Sequence, residues 1–380
     1  MTNSSEDLSS TLADGREITF YSLPGNTVRP VEDVRPLPPR PHTTPSEVRY
    51  DRATGDWVAI AALRQDRTYK PPADLCPLCP SPGGDSSEVP AADYDVVVFE
   101  NRFPSLSGAG SSAPELPTPS SAEPTSAPGI GRCEVICFSS DHTTSFAELP
   151  VAHARLVVGV WRTRTEALLA TDGIEQVFCF ENRGEEIGVT LSHPHGQIYG
   201  YPYLTPRTTS MLGRAEAYEQ RHPGENLFAR ILAGEVSDGV RVVASNEHFT
   251  AFVPFAARWP VEVHIYPNRH VHNLTQLTDS ELDDLTSIYL DTLQRFDQLY
   301  STPLPYISAL HQYRPDSVQR HGHFHIELMS VRRSATKLKY LAGSESAMDA
   351  FITDVTPEAM AASLRSAAQP TADGNARSGL

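Results

Sequence analysis

The chain has 380 residues, of which 39% are hydrophobic and five are cysteines, and its formal net charge is −16 at pH 7. This length suffices for two or three domain-sized units, and the acidic balance argues against a nucleic-acid partner, which would require clustered Lys and Arg. No apolar run reaches the roughly 18 residues of a membrane span, and the N-terminal segment is too polar for a secretory signal. Because the cysteines are too few for a disulfide framework, we expect a cytoplasmic protein without a membrane partner.

Segments rich in Pro, Gly and Ser divide the chain. Residues 1–40 are polar and Pro-rich near their end, and we predict a loose N-terminal arm there. Residues 41–215 and 216–365 each alternate strand-like and helix-like stretches, which predicts two units of an α+β fold. The first unit contains a low-complexity stretch over 107–130, a predicted disordered insertion, and the similar composition of residues 366–380 predicts a disordered tail.

Two arginines follow the strand-like run 57–60 near the start of the first unit. Arg64 and Arg67 could clamp phosphate groups, because a guanidinium offers a planar fork of N–H donors. Isolated arginines are also common as solvated surface charges, so the sequence leaves both interpretations open.

A pair of cysteines comes next, with two residues between them. Cys76 and Cys79 have the spacing that places two thiolates on one metal ion, and zinc would need two further ligands, for which His142 and His193 are the candidates. A redox pair or two unrelated thiols are the alternatives, although the segment lacks the strand-then-helix context of a thioredoxin-like site. If His193 is a ligand, the ion anchors the strand that presents His195.

The most informative local motif is the segment 193–199, which reads HPHGQIY and follows a predicted strand over 176–180. In an extended segment, alternate side chains share a face, so positions 193, 195 and 197 point the same way. Three polar groups on one face beside a glycine are unfavourable in a core strand and favour a phosphate site. A structurally buried pair of histidines is the alternative.

Chemistry assigns different roles to two residues of this motif. His195 is a competent nucleophile towards phosphorus, because a neutral imidazole nitrogen needs no deprotonation near pH 7. Gln197 can donate an amide N–H to a phosphoryl oxygen but can neither give nor take a catalytic proton. The glutamine therefore favours passing a nucleotidyl group to another acceptor over hydrolysis.

The second unit repeats landmarks of the first at a constant distance. Four pairs of residues lie 128 positions apart, which predicts an ancient duplication of one unit. The pairs are Glu134 and Glu262, His142 and His270, His193 and His321, and His195 and His323.

Helical patterns agree with this repeat. Thr278 and Glu281 have the spacing of a capping box at a helix N-terminus. Apolar residues with helical spacing follow, and we predict that they form core: Leu282, Leu285, Tyr289, Leu293, Phe296 and Leu299. The equivalent stripe of the first unit contains Val157, Val160, Trp161 and Leu168.

The second unit also carries its own run of alternating histidines, since residues 321–325 read HGHFH. Together with His311 they could form a second metal site. A vestigial nucleotide site and a packed polar cluster are equally compatible with the pattern.

On these residues the chain resembles the galactose-1-phosphate uridylyltransferase family, a branch of the histidine-triad superfamily. The resemblance runs from about residue 41 to 360, interrupted by the insertion, and its most specific element is the HPHGQ run at 193–197. It implies an α+β fold of two fused histidine-triad-like units, each an antiparallel sheet with packed helices, and a homodimer.

The resemblance also implies roles for individual residues. The nucleophile of the family maps to His195 and its characteristic glutamine to Gln197. Its zinc ligands map to Cys76, Cys79, His142 and His193. Its substrate contacts map to Arg64, Arg67, Leu78, Phe99, Asn101, Asn182, Gly188, Thr190, Lys339 and Glu345. Some members hold a second metal, iron or zinc; its histidines map to His311, His321 and His323, whereas the position of its glutamate falls near Met211.

The function implied by the resemblance is an exchange of UMP between UDP-glucose and galactose 1-phosphate in galactose metabolism. It would run by double displacement through a uridylyl-histidine. Two alternatives remain at the level of sequence: an adenylyltransferase acting on ADP-sugars or dinucleoside polyphosphates, and a zinc-stabilised nucleotide-binding module without catalysis. Nucleotide competition would identify the former, and trapping of a labelled phosphohistidine would exclude the latter.

Overall fold

A computed structural model describes residues 7–40, 46–66, 69–110, 116–119 and 123–367. Up to residue 205 the strands are β1 (Leu8–Thr11), β2 (Glu17–Tyr21), β3 (Glu47–Asp51), β4 (Asp56–Ile60), β5 (Val96–Glu100), β6 (Ser107–Gly108), β7 (Ser126–Pro128), β8 (Ile130–Cys137), β9 (Gln176–Arg183) and β10 (His195–Tyr201). Helix α1 (Val151–Leu169) precedes β9, and α2 (Pro206–Arg221) and α3 (Leu227–Asp238) follow β10. The remaining strands are β11 (Val242–Ser245), β12 (Phe249–Phe252), β13 (Val261–Pro267), β14 (Tyr306–His311), β15 (His325–Ser330), β16 (Arg332–Ser334) and β17 (Lys337–Leu338). They accompany helices α4 (Asp279–Leu299), α5 (Gly343–Met348) and α6 (Pro357–Ser366).

One large sheet dominates the structure. Its strands follow the order β1-β2-β5-β8-β10-β9-β14-β15-β13-β12-β11, all antiparallel, and β6 adds to β8 in parallel. Strands β4, β3 and β7 form a small separate sheet, and β16 pairs with β17. The predicted α+β class with antiparallel sheets and packed helices is confirmed. The two units nevertheless share one continuous sheet, because β9 and β14 pair at its centre, with Phe180 opposite Ala309.

The sheet buries one face beneath α1 and α4. Along β13 the alternation places Val261, Val263 and Ile265 in the core, each fully buried. The predicted apolar stripes face this layer and are buried, except for Leu299, which is partly buried. Trp161 of α1 and Tyr289 of α4 meet edge to face with ring centroids 5.8 Å apart. These contacts join the two helices across the centre of the molecule.

Helix α4 begins as the sequence predicts. The Thr278 hydroxyl accepts a hydrogen bond from the backbone N–H of Glu281 at 3.3 Å, and the Glu281 carboxylate accepts one from the backbone N–H of Thr278 at 2.7 Å. This reciprocal capping box satisfies two amide groups that the first helical turn would otherwise leave unpaired.

The predicted duplication is visible, but one of its four landmark pairs is not structurally equivalent. Tyr199 pairs with Cys133, whereas Glu327, 128 positions beyond Tyr199, pairs with His264, which is 131 positions beyond Cys133. The helices and the strands β10 and β15 keep the 128-residue offset, while β8 and β13 are related by 131. Glu262 is therefore not the counterpart of Glu134. The connecting loops differ in length between the units, which shifts β13 by three residues, and an odd shift reverses the face on which a strand residue lies.

The prediction of a loose arm over residues 1–40 was wrong for the described part. Strand β2 pairs with β5 and buries Ile18 and Phe20 completely. Arg16, only 1% exposed, forms an ion pair with Asp14 at 2.7 Å and with Glu88 at 2.5 Å. A buried arginine with carboxylate partners fixes this segment against the first unit, and its partner Glu88 is distant in sequence.

Three other predicted boundaries differ from the structure. Within the predicted insertion 107–130, β6 and β7 are ordered strands, while residues 111–115 and 120–122 lie outside the described residues. The tail predicted from residue 366 begins at the end of α6, and residues 368–380 lie outside the description. The boundary placed between residues 215 and 216 falls inside α2.

None of the described helices combines the length and apolarity needed to cross a bilayer.

We expect Arg16→Met to lower the free energy of unfolding by about 3 kcal/mol, because it leaves a buried carboxylate without its counter-charge. Chemical denaturation measures this difference. Arg49→Met is the matched control, since Arg49 is 62% exposed in its ion pair with Glu47 and exposed pairs contribute at most about 1 kcal/mol. Equal stability of the two variants would contradict the buried ion pairs of Arg16 with Asp14 and Glu88.

Candidate active site

Strand β10 presents the histidine motif between two neighbours. Gln197 lies opposite Val135 of β8 on one side and Phe180 of β9 on the other. His195 and Gln197 lie two residues apart on this strand and therefore share a face, as predicted. Ile198 points into the core on the opposite face and is fully buried. The register of β10 thus fixes which side chains the first unit exposes.

The hydrogen bond of the His195 ring determines which nitrogen is available. Nδ1 lies 2.7 Å from the backbone carbonyl oxygen of His193. Because a carbonyl only accepts hydrogen bonds, Nδ1 carries the proton and Nε2 keeps its lone pair. Burial lowers the pKa of His195, so the ring is in its neutral, nucleophilic form near pH 7.

A pocket opens beside His195, and most of the predicted substrate-binding residues of the first unit line it. The predicted residues are Arg64, Leu78, Phe99, Asn101, Thr190, His195 and Gln197. Residues that we did not predict complete the lining: Pro77, Glu88, Arg102, Phe103, Val135 and Leu191. Apolar side chains with a few polar groups are typical of a site for a planar organic ligand. The position of Val135 was accessible to sequence analysis, because it alternates with Glu134 and Ile136 along a strand.

Tyr199 orients the amide of Gln197. Its hydroxyl donates a hydrogen bond to Gln197 Oε1 at 3.1 Å, which leaves the amide N–H groups free to donate. The guanidinium of Arg64 contacts the same hydroxyl at 3.4 Å and Ser105 Oγ at 3.0 Å. These contacts bring two hydrogen-bond donors together on the wall of the pocket, the cationic Arg64 and the neutral amide of Gln197.

His195 also lines a second pocket, formed with the loop that precedes it. Asn182 and Thr190 belong to its wall, whereas Gly188 adopts a left-handed conformation at the end of the short 3-10 helix Glu185–Ile187. Glu181 lies at the base, and burial raises its pKa to about 7 although the Tyr306 hydroxyl donates a hydrogen bond to it at 2.9 Å. The histidine therefore stands where the two pockets meet.

Behind the motif, the two cysteines and two of the histidines converge. The ligand atoms of Cys76, Cys79, His142 and His193 all lie within 4.8 Å of one another. Cys79 Sγ is 3.3 Å from His142 Nδ1 and 3.5 Å from His193 Nδ1. The structure thus brings together the four predicted metal ligands from three separate segments of the chain.

The surroundings of this cluster fit a metal ion. His193 Nε2 donates to the carbonyl oxygen of Ser139 at 2.8 Å, which leaves Nδ1 facing the thiols. Tyr94, which we did not predict, contacts the same ring nitrogen at 2.8 Å and donates to the Leu78 carbonyl at 3.0 Å. Burial and the neighbouring Cys76 raise the pKa of Cys79 to about 12, so two thiolates could coexist here only beside a cation.

The structure does not bring together the predicted second metal set His311, His321 and His323. His311 lies directly opposite His325 across β14 and β15, and their rings stack with centroids 4.6 Å apart. His323 precedes β15 and lies against His270 instead, with ring centroids 5.2 Å apart. The set implied by the resemblance does not converge, because the strand register selects His325, which also belongs to the HGHFH run, as the neighbour of His311. Among the described residues, the cluster near His311 contains His325 and Glu327.

Besides Gly188, three predicted substrate residues are not placed at these pockets. Lys339 and Glu345 form an ion pair with each other at 3.1 Å and line neither of the two pockets. Arg67 lies outside the described residues. The contribution of these three residues stays a prediction.

A repeated α+β unit that presents a neutral histidine between two pockets indicates an enzyme of nucleotidyl transfer. Family models for the N-terminal and C-terminal domains of galactose-1-phosphate uridyl transferase match residues 36–205 and 212–373. Galactose-1-phosphate uridylyltransferase of Streptomyces lividans is 49% identical over 307 residues, which cover 80% of each chain. The chain belongs to the galactose-1-phosphate uridylyltransferase family and is a uridylyltransferase.

Other relatives agree with this placement. Galactose-1-phosphate uridylyltransferase of Thermotoga maritima is 36% identical over 84% of this chain and 98% of its own. A solved uridylyltransferase structure superposes with a TM-score of 0.74 at 32% identity, covering 84% of this chain and 98% of that one. An ADP-glucose phosphorylase from Arabidopsis thaliana, at 23% identity and a TM-score of 0.62, shares the fold.

Gly196 allows the close approach that places His195, and we expect Gly196→Ala to destabilise the protein by about 1–3 kcal/mol. A Cβ atom there would lie 2.8 Å from the Phe180 carbonyl oxygen and 2.9 Å from the Phe138 ring. Turnover should fall as well, because β10 must shift. Gly213→Ala is the control: this exposed position in α2 has open space around its Cβ, so alanine should stabilise the helix by about 0.5–1 kcal/mol. Thermal unfolding of both variants, with turnover assays, checks the pair; an unaffected Gly196→Ala would contradict the packing.

Proposed function

We propose that the enzyme exchanges UMP between UDP-glucose and galactose 1-phosphate by double displacement through a uridylyl group on His195. The observation that carries this proposal is the position of His195, which lines both pockets and whose Nε2 is unprotonated because Nδ1 donates to the His193 carbonyl. The pocket with Leu78, Phe99 and Asn101 would hold the uridine. The pocket with Asn182 and Thr190 would hold the β-phosphate and the hexose.

In the first half-reaction, His195 Nε2 attacks the α-phosphorus of UDP-glucose. The new N–P bond replaces the bond from phosphorus to the bridging oxygen, and glucose 1-phosphate leaves with that electron pair. Arg64 and the free N–H of Gln197 face the pocket, where they stabilise the charge on the non-bridging oxygens. The carbonyl of His193, which accepts a hydrogen bond from the Nδ1–H group, stabilises the cationic ring that forms.

In the second half-reaction, the phosphate oxygen of galactose 1-phosphate attacks the same phosphorus and releases Nε2, giving UDP-galactose. Gln197 restricts the acceptor, because an amide cannot remove a proton from water. A sugar phosphate is already anionic and needs no such base. The side chain at position 197 therefore favours transfer over hydrolysis.

The four-residue cluster behind the motif is proposed to hold zinc. Two thiolates and two imidazoles form the tetrahedral set that structural zinc prefers. Zinc would supply cross-linking rather than reaction chemistry, because the cluster offers four protein ligands and so leaves no open position. His193 would transmit this anchoring to His195 through the backbone that joins them.

A homodimer is part of the proposal. Lys339 and Glu345 match the hexose-binding segment of the family, yet they do not line the two pockets of their own chain. Association of two copies is the simplest way to bring such residues to a site. Sedimentation measurements on the intact protein would test the dimer separately from the chemistry.

With UDP-glucose alone, we expect about one equivalent of glucose 1-phosphate per active site, followed by near silence, because water attacks the uridylyl-histidine slowly. Addition of galactose 1-phosphate should restart turnover and yield UDP-galactose. Rapid-quench product analysis measures both phases. Steady release of UMP without an acceptor would show a hydrolase, and a burst with ADP-glucose but not with UDP-glucose would show an adenylyltransferase.

His195→Asn or His195→Gly should abolish the burst and lower turnover by several powers of ten while the fold survives. Trapping of uridylyl-enzyme from labelled UDP-glucose, together with circular dichroism, separates the chemical loss from unfolding. Activity within about tenfold of the wild type would remove His195 from its assigned role.

Cys76→Ser should lose about one equivalent of zinc per chain and much of the thermal stability. Cys179→Ser is the control, because Cys179 is a fully buried thiol outside the cluster. Elemental analysis of purified protein measures the metal content. Unchanged zinc in Cys76→Ser would show that the ligand set is wrong.

A further inference from the structure

The pocket that Asn182 and Thr190 line has a cation on its wall to which the proposed reaction assigns no role. Lys70 lines this pocket together with His195. Its ammonium forms an ion pair with Glu185 at 2.6 Å, and the two side chains are 42% and 67% exposed. Both members of the pair therefore reach solvent while they face the pocket.

The main chain fixes the position of Lys70. Its backbone N–H donates to the Thr190 carbonyl oxygen at 3.0 Å, which ties residue 70 to the loop that precedes β10. Its φ of 44° lies in the left-handed region, which is unfavourable for a residue with a Cβ atom. Such conformations persist where the surrounding structure imposes them, and they cluster at ligand sites. Residue 70 is thus anchored to the pocket wall, while its flexible side chain can change partners.

The other cation of this pocket is already committed to a partner. Of the described residues that line the pocket, Lys70 and Arg183 carry a permanent positive charge. Arg183 is 18% exposed and donates to Asp297 of α4 at 2.6 Å. Its guanidinium also lies over the Tyr306 ring, 5.6 Å from the centroid. These contacts hold Arg183 towards α4, so an anion in the pocket would find its counter-charge at Lys70.

The carboxylate that now pairs with Lys70 can leave without a movement of the backbone. Glu185 begins the 3-10 helix Glu185–Ile187, and its neighbour Glu186 forms an ion pair with Arg332 of the second unit at 2.6 Å. That contact holds the turn in place, whereas the more exposed Glu185 side chain can rotate into solvent. An ion pair this exposed is weak, so an incoming dianion can replace it.

We propose that Lys70 binds the phosphate of the hexose 1-phosphate, and that Glu185 occupies the place of this phosphate in the free enzyme. The inference rests on the proposed function and names the residue that favours an anionic acceptor in the pocket beside His195. The ammonium holds the phosphate that leaves in the first half-reaction and the phosphate that attacks in the second. A phosphate monoester carries nearly two negative charges near pH 7 and therefore outcompetes one carboxylate. A sugar without phosphate would leave the pair of Lys70 and Glu185 intact.

Calorimetric titration of the intact enzyme with glucose 1-phosphate tests the proposal. Lys70→Gln should weaken binding about tenfold because it removes the counter-charge, and Glu185→Gln should tighten binding about threefold because it removes the competitor. Arg49→Gln and Glu47→Gln are the matched controls, since they break an exposed ion pair that lines neither pocket, and both should bind like wild type. The proposal would be overturned by no binding to wild type, by unchanged affinity in Lys70→Gln, or by equal or weaker binding in Glu185→Gln.

A second ligand separates phosphate binding from a structural role. Lys70→Gln should keep its affinity for UMP within about twofold, because Lys70 does not line the proposed uridine pocket. An equal loss of affinity for UMP and for glucose 1-phosphate would overturn the assignment. If Lys70→Gln fails to fold, the sign of the effect in Glu185→Gln decides alone. Binding of glucose 1-phosphate needs no chemistry at His195, so a failed burst assay would reject the proposed function and leave this test in force.

Discussion

The pairing of β10 between β8 and β9 is the constraint on which the active site depends. A slip of one residue in either register would turn His195 and Gln197 into the core and Ile198 into the pocket. The same pairing places Gly196 against the Phe180 carbonyl, so the strand has no room to shift. Precise placement of a nucleophile is thus obtained from main-chain hydrogen bonds, which are the least variable interactions available to a sheet.

The two units use the same face of this sheet in different ways. In the first unit part of this face lines the pockets beside His195, and the rest packs against the N-terminal strands, the small sheet and the cysteine loop. In the second unit α2 and α3 cover it, since Ala215, Phe228 and Leu232 pack with Phe252 and Tyr266. Phe228 also lies over His325, with ring centroids 5.7 Å apart. Because these helices cover the face, polar strand residues that would otherwise contact substrate lie together in the interior. There they need other hydrogen-bond partners.

The sequence allowed good prediction wherever function lies in local patterns. The alternation of His195 and Gln197, the CxxC spacing and the capping box at Thr278 each depend on residues a few positions apart, and the structure places them as predicted, whereas His193 lies before the strand. Predictions failed where distant partners decide the outcome. Local sequence places Arg16 in a polar arm, whereas the fold brings Glu88, which is distant in sequence, beside its guanidinium. His325, rather than His323, lies opposite His311 because the register of β14 and β15 pairs these two positions. Such a register leaves no mark on a count of histidines.

The central β9–β14 pair has a consequence for how the molecule came to be asymmetric. Outward from this pair, the equivalent strands of the two units follow in the same order, β9-β10-β8-β5-β2 on one side and β14-β15-β13-β12-β11 on the other. The chain therefore resembles a symmetric dimer whose halves have been joined into a single polypeptide. In a true dimer of identical chains every substitution appears twice, so neither copy can specialise alone. Gene fusion removes this coupling and makes the interface intramolecular, so that it no longer depends on protein concentration. Each half can then change on its own, and the second unit reads HGHFH where the first reads HPHGQ.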